Sequence, residues 1–410
     1  MLIFTKEYFS KVKDKNDRRI LFLTQWSYND ALVQTYTLPY ISIVKEITKA
    51  YSYLITTGKT SSLRIHKQQS NVLIELPNPV AVFRTQWLWN IFILNKILRK
   101  KRISIIHSWC TPAGSIAAIL KLCNKKIKLI LDSVEPHAES MIECKIWSKY
   151  GLKFKTLFFL EKLQFKKADQ FIFCASGMDR YIKEKYELTV QGYIKPACVD
   201  LSMFTKSAGK NDALLKELGL DGKLVCIYAG KFGGFYMEDE TFEFIKQCEE
   251  YWGKDRFRFL LLSNVSDAYL ESKLHKNSID KSIAVKRFVP HSEVPVYMGL
   301  ADFAICPNKP VPSKRYGTPI KNGEYWAMGL PIVIAPNISD DSDIIRKYGA
   351  GAILEGFTQK DYCNAIKEID SIISQMSRGE TYSLIKPIAE KYRNFSIAEE
   401  VYLKIYGSCL

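Results

Sequence analysis

Residues 313–331 read Ser313-Lys314-Arg315-Tyr316-Gly317-Thr318-Pro319-Ile320-Lys321-Asn322-Gly323-Glu324-Tyr325-Trp326-Ala327-Met328-Gly329-Leu330-Pro331, and Ile332-Val333-Ile334-Ala335 follows directly. In order, this is a loop, a helix and a strand. Pro319 suits the first turn of a helix, where its missing N–H costs nothing. The free N–H groups of the next residues then face outward, and the helix dipole strengthens them as an anion site. Lys314, Arg315 and Lys321 add full charges at that end. Glu324 lies one turn in, where a carboxylate can accept hydrogen bonds from sugar hydroxyls. The same residues also fit an ordinary charged helix start, with Glu324 merely complementing the dipole.

The loop–helix–strand pattern repeats outward in both directions. Strand-like runs at 20–24, 51–55, 72–76, 103–108, 127–132 and 170–174 alternate with helical stretches such as 38–49, 87–99 and 115–123. Further runs at 224–229, 257–262, 283–288, 302–306 and 331–335 alternate with 240–252, 268–276, 293–301 and 321–328. Such alternation is the signature of parallel strands joined by crossover helices, so the fold class is α/β with two Rossmann-like, doubly wound domains. Lys195-Pro196-Ala197-Cys198-Val199-Asp200 and the polar stretch 206–212 read as the linker, giving domains 1–200 and 201–385. Residues 382–406 have helical periodicity and no strand to serve. The tail 386–410 is therefore expected to pack back on the first domain.

With 410 residues, 47% apolar and 25% charged, the chain is too long for one core and too apolar for disorder. The longest apolar stretch, 80–98, is broken by Arg84, Asn90, Asn95 and Lys96, which argues against a bilayer span. Lys6, Glu7, Lys11, Lys13, Asp14 and Lys15 leave no apolar signal core, so a cytoplasmic protein is expected. Ten cysteines without a C-x-x-C pair read as reduced thiols, and His66, His107, His137, His275 and His291 are too scattered for a zinc site. The net charge of +16 is divided unevenly: residues 1–200 hold 32 Lys+Arg against 16 Asp+Glu, while the remainder balances. An excess confined to one domain points to an anionic partner there: a membrane surface, a phosphorylated acceptor or, as the weaker option, nucleic acid. No nucleic-acid-binding module accompanies it. Lysine used simply for solubility is the plainer alternative.

Thr318-Pro319 through Lys321, Glu324-Tyr325, Ala327 and Gly329-Leu330-Pro331 resemble the hallmark segment of glycosyltransferase family 4. These are retaining, nucleotide-sugar-dependent enzymes of the GT-B fold, in which two Rossmann-like domains face across a cleft. Tyr228-Ala229-Gly230-Lys231 resembles the family's Y-x-G-[RK] turn. The segment from Arg287-Phe288-Val289-Pro290 to Ala301-Asp302, and Pro196-Ala197-Cys198-Val199-Asp200 through Phe204, are similar to two further family segments. The resemblance implies that Gly230, Lys231, Gly233, Lys314, Arg315, Tyr316, Thr318, Pro319, Ile320, Lys321 and Glu324 hold a nucleotide-sugar donor, a UDP- or GDP-sugar. Fixed cations would then stabilise the leaving diphosphate, with no metal cofactor expected. Tyr316 stands where the family carries the first of two glutamates eight positions apart. Asp341-Ser342-Asp343 looks like a metal-binding D-x-D but, placed before Ile344-Ile345-Arg346-Lys347, reads with Ser339 as a helix N-cap.

In the first domain the strand 127–131 runs into Asp132-Ser133-Val134-Glu135-Pro136-His137-Ala138-Glu139-Ser140, and ligands bind outside the carboxyl ends of such strands. The segment resembles the family's acceptor-side motif, with Val134 where histidine is common. Glu135 would face the reacting carbon, Asp132 or Glu135 would orient or deprotonate the acceptor hydroxyl, and His137 lies close by. A helix-capping acid cluster is the alternative. Residues 87–98, apolar on more than one face and followed by Arg99-Lys100-Lys101-Arg102, read as a buried crossover helix or a membrane-facing one. Trp147, Phe154, Leu157, Phe158 and Phe159, interleaved with Lys145, Lys149, Lys153, Lys155 and Lys162, form a second basic aromatic segment. The expected activity is sugar transfer to a glycan acceptor, lipid-linked, at the inner membrane face, for cell-surface polysaccharide or glycoconjugate synthesis. The alternative is a catalytically inactive GT-B subunit that binds nucleotide or a partner.

Overall fold

The computed structural model of the chain describes residues 18–58, 63–68, 71–77, 85–205 and 210–409. The N-terminal charges from Lys6 to Lys15, Arg84 and the linker residues 206–209 lie outside them. The chain divides into two units: residues up to Pro196 together with those from Ser396 onward, and Ala197–Phe395.

The first unit is built on β1 Arg19–Leu23, β2 Tyr51–Gly58, β3 Arg64–Gln68, β4 Asn71–Pro77, β5 Ile105–Trp109, β6 Lys128–Val134, β7 Gln170–Phe173 and β8 Tyr193–Ile194. Their order is β3-β4-β2-β1-β5-β6-β7-β8, and only β3 runs antiparallel, hairpinned to β4. The second unit holds β9 Leu224–Ala229, β10 Phe257–Leu262, β11 Ala284–Arg287, β12 Phe303–Cys306, β13 Ile332–Ile334 and β14 Gly351–Ile353, all parallel, in the order β11-β10-β9-β12-β13-β14. The strand order reverses between β1 and β5 in one sheet and between β9 and β12 in the other. Those are the points where doubly wound sheets take ligands.

The strands read as continuous apolar runs because both faces are covered. In β9, Val225, Ile227 and Ala229 join one buried cluster, while Cys226 and Tyr228 join the cluster on the opposite face. Each such fully buried aliphatic or aromatic side chain contributes about 1.5–3 kcal/mol. Three strands escape a search for apolar runs. Arg64-Ile65-His66-Lys67-Gln68 is an edge strand, where charge is tolerated and guards against pairing with other chains. β8 has two residues, and β14 begins on Gly351, where a Cβ would fall 2.0 Å from the Ile332 carbonyl oxygen.

Three expectations change. The periodic stretch 382–406 is two helices, Arg378–Tyr392 and Phe395–Cys409, and the second belongs to the first unit. Pro319 is the N-cap of the helix Ile320–Ala327 rather than its first residue. Residues 87–98 lie in the helix Thr85–Lys100, which buries Asn90, Ile93, Leu94, Ile97 and Leu98 and leaves Trp89 and Phe92 exposed. In the second basic segment Leu157 is core, and the exposed apolar residues are Ile146, Tyr150, Leu152 and Phe159. No helix among the described residues is long and apolar enough to cross a membrane. The nine described cysteines with placed side chains are free thiols.

Candidate active site

In the second unit the loops after β9 and β12 meet where the strand order reverses. The Gly230 N–H donates to Leu262 O, and a Cβ on Gly230 would sit 2.6 Å from Tyr228 Oη and 2.8 Å from Lys321 Cε. Glycine leaves room for the Lys321 stem to lie across the turn, and a larger residue would displace it. Lys231 follows, exposed, with its backbone carbonyl accepting from Tyr228 Oη at 2.5 Å. Gly233 and Gly234 take positive φ of 82° and 62°, a conformation that glycine adopts without strain. The turn is zipped to the loop after β12: Lys309 N–H donates to Phe235 O, Met237 N–H to Pro307 O, and Lys309 Nζ to Gly234 O at 2.7 Å.

The helix Ile320–Ala327 closes this end of the sheet. Pro319 at its N-cap has no side chain capping it. The dipole and first-turn amides are thus presented without a side-chain acceptor of their own. The helix is held from behind by Tyr325 Oη, which accepts from the Ala229 N–H at 3.0 Å, and by Asn322 Nδ2, which donates to Asp341 at 2.7 Å. Arg393 in turn ion-pairs with Asp341 and lies over the Trp326 ring at 5.3 Å. Gly323 permits this contact, since a Cβ there would come within 2.7 Å of Val199 and 3.0 Å of Arg393.

The reading of Ser339 and the aspartates as a side-chain N-cap is corrected accordingly. The helix Asp341–Tyr348 has Asp340 at its N-cap without a side-chain cap bond. Asp340 and Asp343 pair with Arg315 at 2.6 and 3.6 Å, and Asp341 is buried beside Arg393. Burial pushes the Asp341 carboxyl up from its ordinary range, opposed by Arg393 and Asn322.

Of the residues expected to hold a donor, Gly230 and Lys321 touch, and Lys231 and Gly233 lie on the same turn. Lys314 is buried in the short 3-10 helix Pro312–Tyr316 with its Nζ 4.0 Å from the Phe235 ring centroid. Arg315 is engaged by Asp340 and Asp343. Tyr316 and Ile320 are half-buried, as is Thr318, whose hydroxyl lies 3.5 Å from Ser339 Oγ. Glu324 is nearly buried, its Oε1 3.1 Å from His291 Nε2. Tyr325, already part of the hallmark segment, and His291, Phe235 and Lys309, which were not expected at the site from the sequence, complete it. His291 is an isolated histidine in a turn after β11, with no periodicity to mark it, and its ring packs edge-on against Phe204.

In the first unit the three residues expected to act on an acceptor separate into two environments. Asp132, at the end of β6, is fully enclosed. Its Oδ1 lies 3.2 Å from Lys195 Nζ, and its Oδ2 accepts from Tyr402 Oη at 2.7 Å and lies 3.1 Å from His107 Nε2. His107 Nδ1 meets Tyr406 Oη at 2.8 Å, and Lys195 Nζ sits 3.8 Å from the Tyr40 ring centroid. Burial alone would push the Asp132 carboxyl up, but Lys195 and the bonds from His107 and Tyr402 hold it well below the usual carboxylate range. Burial lowers His107 against the pull of Asp132, so the neutral ring donates through Nε2 and accepts from Tyr406. Glu135 and His137 are partly exposed instead, with His137 Nδ1 3.8 Å from Glu135 Oε1. The Glu135 carbonyl accepts from Thr111 Oγ1 and from the His137 N–H. Behind them Glu161 accepts from the Ala138 N–H and Tyr186 Oη, and burial pushes its carboxyl up to about 8.

No group of three or more His, Cys, Asp or Glu among the described residues could hold a metal ion. The second unit's turn, amides and lysines form an anion site; the first unit presents one carboxylate–imidazole pair above a closed polar core. Residues 223–370 match the protein family described as Glycosyl transferases group 1. No curated protein sequence matches the chain. Among solved structures, it is similar to sucrose-phosphate synthase from Thermosynechococcus elongatus, with 12% identity over 96% of this chain and 99% of that one and a TM-score of 0.73. It is also similar to Anabaena HepE in complex with UDP-glucose, with 12% identity over 95% and 99% and a TM-score of 0.69. A third is WaaG, a glycosyltransferase involved in lipopolysaccharide biosynthesis, with 13% identity over 94% and 98% and a TM-score of 0.68. Residues 223–370, the second sheet and its helices, are thus similar to group 1 glycosyltransferases, and nearly the whole chain shares the two-sheet GT-B fold of these solved structures.

Proposed function

We propose that the Ala197–Phe395 unit binds a nucleotide-diphosphate sugar and that the basic unit carries the glycan acceptor to which the sugar is transferred. The observation that carries this reading is the Gly230–Gly234 turn beside the uncapped start of the helix Ile320–Ala327, with Lys321 laid across Gly230. A diphosphate seated there meets backbone amides, Lys231 and Lys321. These groups are fixed before the reaction, so charge developing on the departing phosphate is stabilised without reorganisation. Glu324, oriented by His291, takes the ribose hydroxyls. Anabaena HepE has been seen with UDP and with UDP-glucose, which favours a UDP-sugar over a GDP-sugar as the first donor to try.

Glu135, partly exposed and next to His137, is the acidic residue for the reacting carbon or the acceptor hydroxyl; Asp132, closed in by Lys195, His107 and Tyr402, acts as structural support beneath it. Retention of configuration, as the family resemblance implies, and a lipid-linked acceptor complete the reading. Membrane docking rests on Tyr150, Leu152 and Phe159, which are 83%, 66% and 66% exposed among Lys149, Lys153 and Lys155. Apolar rings set among lysines suit an anionic leaflet, each lysine near the surface contributing about 1 kcal/mol.

Release of free nucleoside diphosphate from UDP- and GDP-sugars tests the catalytic reading. Lys231→Ala and Glu324→Ala are each expected to lower turnover by about 10²–10³, the cost of losing one preorganised donor to a developing anion. Tyr316, in place of an acidic donor-sugar contact, favours a second reading in which nucleotide binds without turnover. Heat on titration with UDP but no diphosphate release from any donor would select that alternative.

A further inference from the structure

A cavity of about 510 Å³ lies in the first unit, between the helix Leu38–Thr48 and the face of the β2, β4 and β3 strands. Its position follows from register. Ser52 pairs with Asn71 and Leu54 with Leu73 in the parallel ladder, and Arg64 pairs with Glu75 and His66 with Leu73 in the hairpin. All of these lie on the face that the helix only partly covers, with Ile41 and Lys45 of the helix forming the opposite wall. The volume is in the range of small-molecule sites.

Two features mark the cavity as built for a polar ligand. Ser52 is 2% exposed and lines it, yet its hydroxyl has no hydrogen-bond partner among the described residues, and the buried Oδ1 of Asn71 beside it has none among them either. Buried polar atoms are normally satisfied, so a pair left open on one cavity floor invites a donor or acceptor from outside. The second feature is charge. Lys45 and Arg64 reach the rim and form no ion pair among the described residues, whereas Glu75 is held by His66 at 3.5 Å. The floor thus offers a hydroxyl, an amide and apolar Leu54 and Leu73, while the rim offers two cations and one carboxylate. We infer that this cavity binds a glycosyl phosphate, the sugar hydroxyls on Ser52, Asn71 and Glu75 and the phosphate between Lys45 and Arg64. Its role as an acceptor subsite rests on the proposed function; the binding itself does not.

Isothermal titration of the full chain with glucose 1-phosphate, glucose and inorganic phosphate tests the inference. Glucose 1-phosphate is expected to bind at least about tenfold more tightly than either fragment. Arg64→Gln and Ser52→Ala should each weaken it by about tenfold while leaving the UDP titration unchanged. Should Arg64→Gln fail to fold, Lys45→Gln gives the same reading. Phosphate binding as well as the sugar phosphate, or affinities indifferent to these substitutions, would overturn the site. A wild-type chain that gives UDP heat but no glucose 1-phosphate binding sinks the cavity alone; one that binds glucose 1-phosphate but gives no UDP heat sinks the donor reading alone. Repeating the titration with glucosyl phosphate on a short polyprenyl chain identifies the source, since tighter binding assigns a lipid-borne ligand and equal binding a free one, and either supports the cavity.

Discussion

Asp132 and Glu324 are both carboxylates near the ligand-binding ends of parallel sheets, and the sequence presents them as equals. The structure separates them by their partners. Asp132 is surrounded by Lys195, His107 and Tyr402, with Tyr406 behind His107 and the Tyr40 ring under the ammonium. Glu324 meets a single half-exposed histidine. A carboxylate whose acceptor sites are filled from within the protein is part of the fold, whereas one with a single orienting partner keeps capacity for a ligand. Two of the groups around Asp132, Tyr402 and Tyr406, come from the helix Phe395–Cys409, so the closing of the first unit's core depends on the last residues of the chain.

The largest expected effect breaks this comparison if it fails. Asp132→Asn leaves Lys195 as an uncompensated buried charge and should cost the first unit about 3–5 kcal/mol, measured as a lowered denaturation midpoint. Glu324→Gln should leave that midpoint unmoved while suppressing diphosphate release. A stable Asp132→Asn protein with impaired turnover would reverse the two roles.

The next effect sharpens the comparison through pH. Asp132 titrates lower folded than unfolded, so its contribution is present above the ordinary carboxylate range and is lost as pH falls through the folded value, a purely acid-side loss. Glu161 behaves oppositely. Its folded value, pushed up to about 8, lies above the unfolded one, so its stabilisation is complete in acid and declines as pH rises through the interval up to about 8. The slope there should approach about 1.4 kcal/mol per pH unit for one proton. Denaturation midpoints between pH 5 and 8 should therefore fall in the wild type and flatten in Glu161→Gln.

The smallest effect concerns the surface. Phe159→Ser, or Lys153→Glu with Lys155→Glu, should reduce co-sedimentation with anionic vesicles, each lysine contributing about 1 kcal/mol, and added salt should release the wild type. Equal binding to neutral vesicles would remove the electrostatic part of the docking idea.

Much of the fold was legible because buried parallel strands must be apolar on both faces. Leu224–Ala229 and Phe257–Leu262 were bounded correctly from their runs alone. The strands that hid, Arg64–Gln68 and Gly351–Ile353, lie at sheet edges where one neighbour is missing and composition is less constrained. At the donor end, the glycine turn and the helix start were readable because both are local devices. Phe235 under Lys314 and His291 beside Glu324 were not, because those pairs are brought together across 79 and 33 positions of chain by the sheet.

From the sequence alone came the α/β class, two sheets, the asymmetric charge and the loop–helix–strand carrying Lys321 and Glu324. These depend on periodicity and short-range chemistry, which neighbouring residues specify. Only the tertiary structure decided that Asp132 is enclosed while Glu135 stays reachable, that Arg315 is taken by Asp340 and Asp343, and that Ser52 and Asn71 open on a cavity. A side chain's exposure and partners depend on distant strands and helices that converge on it, and no local pattern encodes that convergence.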